Sequence, residues 1–143
     1  MSSEVYRLIN QKSNYQASLG SLQNELSVLS EKRARLETAK KDLEGSIQTG
    51  NQTKQGFVSI VVEKSEWAGF KEKEYENLFN EIAIDKLNSF INMLQEVCDG
   101  LTGTIASIGN SIENKQSDIV YVQKQISVTD SQIANEKKKG VTE

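Results

Sequence analysis

The 143-residue chain has no proline and no histidine, one cysteine, one tryptophan, and aromatics at only 6%. Without proline nothing obliges a helix to stop, because proline is the residue that both removes a backbone donor and clashes with the preceding turn. Without histidine the side chain best suited to proton transfer and metal binding near neutral pH is missing. The lone Cys98 can form neither an internal disulfide nor a thiolate metal cluster. Most enzyme templates are excluded on these grounds, and the chain reads as a non-enzyme without cofactor or metal. Hydrophobic content of 36% lies below the ~45–50% usual for globular domains, so a thick central core is not expected. No run approaches the ~18 apolar residues that span a bilayer, and the N-terminus lacks the apolar stretch of a signal peptide. The expectation is a soluble, cytoplasmic chain. A formal charge of −3 gives no long-range attraction to nucleic acid or an anionic membrane.

What the sequence does have is periodicity. Val5, Leu8, Tyr15, Leu19, Leu22, Leu26, Leu29, Leu36, Leu43 and Ile47 follow a 4-3 spacing interrupted only by Lys12, Arg33 and Lys40. Such spacing predicts a long helix that packs along a narrow seam. Ser3 before Glu4 reads as its N-cap. The stretch 48–56 contains Gly50 and Gly56 and no apolar residue, so the helix is expected to end there in a loop. Residues 57–62, short and β-branched, fit either a strand or a short helix, and periodicity cannot arbitrate over so few residues. From Leu87 to Ile133 a second stripe repeats the spacing, broken only by Lys115 and Thr129. Lys137, Lys138 and Lys139 before Gly140 suit a C-terminus, cations complementing the helix dipole and glycine a left-handed cap.

The expected fold is all-α, one domain forming a long antiparallel two-helix hairpin (coiled coil). Its first helix covers 1–48, a turn region 49–66, and its second helix 67–139, with Leu22, Leu29, Leu101 and Ile108 inside the seam. The second helix carries more apolar surface than one neighbour can cover. Tyr75, Phe79, Ile82, Phe90, Met93 and Val97 recur at mostly three- to four-residue intervals on a face offset from Leu87 and Leu94. A thin hairpin seldom supplies the ~5 kcal/mol of a stable domain. These six residues are therefore expected to bind another helical chain.

The remaining candidates have plainer explanations. Acidic residues crowd 63–86, but lysines interleave with them as on a solvated helix face. The basic cluster from Lys32 to Lys41 lacks interleaved aromatics and is diluted by acids, which disfavours nucleic-acid contact. Arg33 and Lys40, at seam positions, read first as snorkelling or register selection and second as pairing with a partner's acid. Cys98 reads as a small buried hydrophobe. Gly100, Gly103 and Gly109 each cost up to ~1 kcal/mol in a helix, which fits a bend, a close backbone approach, or simple tolerance.

Trp67-Ala68-Gly69 falls where the chain must reverse. On physical grounds alone, a lone tryptophan beside a turn plugs the open end of a hairpin, with Gly69 permitting tight geometry. Trp-x-Gly at the reversal of an antiparallel helical hairpin also resembles the hallmark of the WXG small proteins of type VII secretion, found in mycobacteria and Gram-positive bacteria. With Tyr75 six residues on, and a proline-free coiled hairpin, the chain looks more like the YwqH-like proteins encoded next to LXG-domain toxins. The likeness implies a non-enzymatic partner and targeting chaperone, with Trp67, Gly69 and Tyr75 as its secretion motif. Such a protein binds the helical N-terminal LXG domain of a toxin, keeps it soluble, and presents the motif to the secretion ATPase. A second small helical protein as further partner, a homodimer of the chain when alone, and export together with the toxin belong to the same expectation. Glu72 replaces the small aliphatic residue common between the glycine and the aromatic. Tyr121 is followed four residues on by Gln125, so the Tyr-x-x-x-Asp/Glu export signal of such families would belong to a partner. Two other readings stay open: a prefoldin-like chaperone subunit, using 57–62 as an assembly strand, and a structural coiled-coil component of a phage tail or the cell envelope.

Overall fold

The computed structural model describes residues 2–65 and 79–142. The chain is an all-α helical hairpin. Among the described residues are two α-helices, α1 (Ser3–Ser65) and α2 (Asp85–Thr142), with a π-helical turn over Phe79–Ile84 leading into α2, and no strand.

The N-cap of α1 is Ser2, one residue before the expected Ser3. Its Oγ accepts a hydrogen bond from the Val5 amide at 3.3 Å and its carbonyl accepts one from the Tyr6 amide. The N-cap side chain thereby satisfies one of the orphan amides of the first turn. Glu4 then falls inside the first turn and holds Arg7 at 2.6 Å. That hydrogen bond, with the guanidinium charge, keeps the Glu4 carboxyl below its ordinary pKa.

The expected turn region over 49–66 is not a turn across its described part: α1 runs unbroken to Ser65. Residues 57–62 are helical with it, which settles the strand-or-helix ambiguity. The seam continues where composition alone suggested a loop. Gly50, Lys54 and Phe57 extend the 4-3 spacing beyond Ile47, and each is half-buried between exposed neighbours. The polar residues here are compatible with a helix because their hydroxyls bond back to it. Thr49 donates to the Gly45 carbonyl at 3.0 Å and Thr53 to the Thr49 carbonyl at 2.9 Å. Once a helix is nucleated each further residue adds a bond, so two glycines at up to ~1 kcal/mol apiece do not end it. At the other end, α2 passes through Gly140 to Thr142, and no described glycine has positive φ. The left-handed cap expected at Gly140 is absent because the helix has not ended there. The expected second helix over 67–139 begins outside the described residues and reaches beyond 139.

Contacts divide the chain into two units. One pairs Met1–Ala34 with Ala106–Glu143, and the other is Arg35–Ile105. In the first, Lys12 Nζ meets Asp130 Oδ1 at 2.7 Å, and Lys115 Nζ meets Glu25 Oε2 at 2.6 Å. Partners on α2 move backwards as those on α1 move forwards, which is antiparallel pairing. Lys12 and Lys115 both occupy seam positions, and each reaches an acid beside the facing seam while its stem stays half-buried. This is snorkelling combined with register selection. Val5, Leu8, Ile108, Ile112 and Val122 form the buried core of this unit. Thr129 is buried among the seam residues at 2% exposure, with its hydroxyl donated to the Gln125 carbonyl at 2.8 Å. A buried hydroxyl satisfied by its own helix leaves only its methyl for packing. Of the residues expected inside the seam, Ile108 is buried, whereas Leu22, Leu29 and Leu101 are half-buried. At these three positions the facing helix covers only part of the leucine side chain, whereas Leu8 is fully covered.

The second unit buries Ile84, Ile91 and Cys98. Lys40, half-buried at its seam position, pairs with Glu44 of its own helix at 3.7 Å. Gly50 fills the seam position opposite Ile91, and a Cβ built there would stand 3.0 Å from Ile91 Cγ1. This is the close helix approach that the sequence suggested at Gly100, Gly103 and Gly109, where an added Cβ meets nothing within 4 Å. Gly100→Ala and Gly103→Ala should therefore each stabilise the chain by about 0.5–1 kcal/mol in urea unfolding. Gly50→Ala should fall short of that gain because Ile91 must move; an equal gain would refute the close approach.

The Lys115–Glu25 pair gives a second expectation. The hydrogen bond from Lys115 to Glu25, and then the carboxylate charge, raise the lysine above its ordinary value of 10.5. A raised lysine contributes stability that is complete below its unfolded pKa and lost as pH rises through the folded one. Thermal melts should show that alkaline loss weakened in Glu25→Gln. Lys115→Glu should lower the midpoint and the double exchange with Glu25→Lys should restore it, modestly, since both groups are half-exposed.

Candidate partner-binding face

In a helix, a row of side chains displaced by one residue from the seam lies about 100° around the axis. On α2 the seam row of the second unit is Leu87, Ile91, Leu94 and Cys98, and the row one residue behind it is Lys86, Phe90, Met93 and Val97. Seam members are buried or half-buried, while the displaced row stands in solvent: Phe90 is 55% exposed, Met93 63% and Val97 54%. Ile82, in the π-helical turn, is 49% exposed. Of the six residues proposed for partner binding, these four are therefore off the intramolecular seam. Tyr75 lies outside the described residues, as do the Phe79 side chain and the whole Trp67-Ala68-Gly69 motif.

Across from Phe90 the surface of α1 is cut low. Gly45, Ser46, Thr49, Gly50 and Thr53 face Leu87, Phe90 and Leu94 over an open groove of about 770 Å³, with Lys41 and Asp42 at one end. The groove is less polar than its residue names suggest. Thr49 and Thr53 spend their hydroxyls on their own helix's carbonyls, so their methyls are free to meet an apolar ligand. One wall is made of glycine and short side chains and the other of large apolar ones.

The α1 wall was missed in the sequence because 48–56 was read by composition as a loop. The signal that would have found it is the register: extending the seam through Gly50, Lys54 and Phe57 puts Ser46, Thr49 and Thr53 in one row. In the first unit a shallower depression of about 410 Å³ lies between Ser18, Ser21 and Leu22 of α1 and Asp118, Tyr121 and Val122 of α2. Val28, Val120 and Val128 are exposed in that unit as well. Among the described residues no group of three histidine, cysteine or carboxylate side chains is placed to hold a metal ion. None of the described helices is long and apolar enough to cross a membrane. Cys98 is buried on the seam. No protein-family model, curated protein or solved structure matches the chain.

Adjacent residues on α2 should respond oppositely to truncation. Ile91→Ala removes a buried side chain and should cost about 2–4 kcal/mol. Phe90→Ala, although it removes more atoms, should cost under about 1 kcal/mol, as surface changes do. Equal costs in chemical denaturation would mean that Phe90 is already covered within the chain.

Proposed function

We propose that the chain is a non-enzymatic helical partner and targeting chaperone. It binds the helical N-terminal LXG domain of a type VII secreted toxin and helps present it for export. The observation that carries this reading is the solvent-facing row Phe90, Met93 and Val97 beside a groove of small residues. Large apolar side chains set in a row at helical spacing on a soluble surface mark an interaction site. A partner helix laid on that row buries the stripe that α1 cannot reach and yields a bundle thicker than the hairpin alone. The Trp67-x-Gly69 motif, with Tyr75 beyond it, adds the resemblance to small type VII secretion proteins and assigns the motif, rather than the groove, to the secretion ATPase. A second small helical protein is a further partner, and a homodimer forms when the chain is alone. The protein acts in the cytoplasm and leaves it only in company with its toxin. The prefoldin-like alternative needs 57–62 as a strand, and those residues are part of α1.

Co-expression with a toxin-like chain encoded beside it tests the reading. The two should co-elute in size exclusion, and the double change Phe79→Ser with Phe90→Ser should abolish the complex while circular dichroism stays helical. Trp67→Ala should leave the complex assembled yet stop secretion of the toxin. If the tryptophan is only a plug, that change should instead lower stability by about 3 kcal/mol or more, as losing a buried aromatic does, and secretion should fall only as far as folding does. Normal secretion would end the motif's role.

A further inference from the structure

We infer that α2 carries a joint over residues 100–110. This stretch opens as a local unit while α1 beside it stays helical and the seam on either side stays closed. The joint is a property of the hairpin itself and holds whatever occupies the groove.

From Gly100 to Ile112 the chain has no charged residue, so this stretch forms no ion pair with α1. Between 100 and 110 only Leu101 and Ala106 are strong helix formers. The others are three glycines, two threonines, two isoleucines, a serine and an asparagine. Packing does not require the glycines, because an added Cβ at Gly100, Gly103 or Gly109 meets nothing within 4 Å. Thr102 and Thr104 donate their hydroxyls to the carbonyls of Cys98 and Gly100 at 3.0 and 3.1 Å, a back-bond that slightly weakens a helix.

α1 is built the other way. From Glu31 to Lys41 every residue but Thr38 is alanine, leucine, glutamate, lysine or arginine, which are among the strongest helix formers. The pairing of Lys115 with Glu25 in the first unit sets 31–34 against 106–110, and that of Gly50 with Ile91 in the second sets 35–41 against 100–105. Here α1 brings two cations, Arg33 and Lys40, to its seam positions, and the cover of α2 is thin. Leu101 and Ile105 are half-buried, and Ile108 is buried. A segment with weak helix formers and few buried apolar contacts opens at low free energy. The contacts that fix the register lie outside it. Lys12 with Asp130 and Lys115 with Glu25 hold the first unit, and Gly50 against Ile91 holds the second, so the stretch opens without releasing any of them. The glycine-bearing stretch 45–56 of α1 differs, because Gly50 there is packed against Ile91.

Hydrogen exchange of the full chain tests the joint, read residue by residue by NMR under conditions where exchange reports the opening equilibrium. Protection factors over 100–110 should be about tenfold or more below those of 87–98 and 112–126 on α2 and of 31–41 on α1, since local openings exchange ahead of global unfolding. Gly100→Ala, Gly103→Ala and Gly109→Ala combined should raise protection over 100–110 by about tenfold or more, each glycine contributing several-fold, and bring it near that of the flanks. Gly20→Ala, on α1 where an added Cβ also meets nothing within 4 Å, should leave protection over 100–110 unchanged. Equal protection across 87–126 would overturn the inference. Low protection shared by 31–41 would do the same, because both helices would then open together. So would a triple variant whose 100–110 protection stays at the original level, or a Gly20→Ala variant that raises it as much.

Discussion

A helix paired with a single neighbour can bury one stripe of side chains, and the rest of its circumference faces water. Everything observed here depends on that constraint. The seam takes the residues at 4-3 spacing, and the described core is accordingly narrow, with branched aliphatics and Cys98 buried while the leucines Leu22, Leu29 and Leu101 remain half-buried. Each seam lysine must then find a way out. Lys12 and Lys115 do so by laying their stems along the seam and placing their charges on Asp130 and Glu25 of the facing helix. The same reach that solvates the ammonium also specifies which residues face one another.

The constraint also gives the exposed row on α2 its meaning. Phe90 is next to Ile91 in sequence but about 100° away around the helix, so one is covered and the other is not. Scattered single hydrophobes on a surface are ordinary. A row of Phe90, Met93 and Val97 bordering a groove of glycine, serine and threonine is different, because large apolar side chains stand together in solvent beside one trough. Both the row and the groove belong to the second unit, Arg35–Ile105, and the proposed partnership is assigned to that unit.

Glycine illustrates how the same residue is neutral or structural by position. Gly100, Gly103 and Gly109 face open space and only weaken α2, whereas Gly50 lets the helices come together at Ile91. Threonine shows a parallel division. Thr49 and Thr53 form a groove floor and Thr129 is buried in the seam, and all three do so by returning their hydroxyls to carbonyls four residues back. In each case the backbone absorbs the polar group and leaves a methyl.

The all-α class, the antiparallel seam and most of its members were legible in the sequence, because a 4-3 apolar spacing without proline has few physical realisations other than paired helices. The displacement of Phe90, Met93 and Val97 from that seam was legible too, since position around a helix follows from residue number. The extent of α1 was masked: glycine and polar residues over 48–56 signal a loop by composition, although the 4-3 register runs on through Gly50, Lys54 and Phe57, and packing against Ile91 shows that Gly50 holds a seam position. Nor could the sequence indicate that Thr49 and Gly45 stand across a trough from Phe90. That pairing depends on the stagger between two helices, which is fixed by the fit of Ile91 against Gly50 and belongs to neither helix alone.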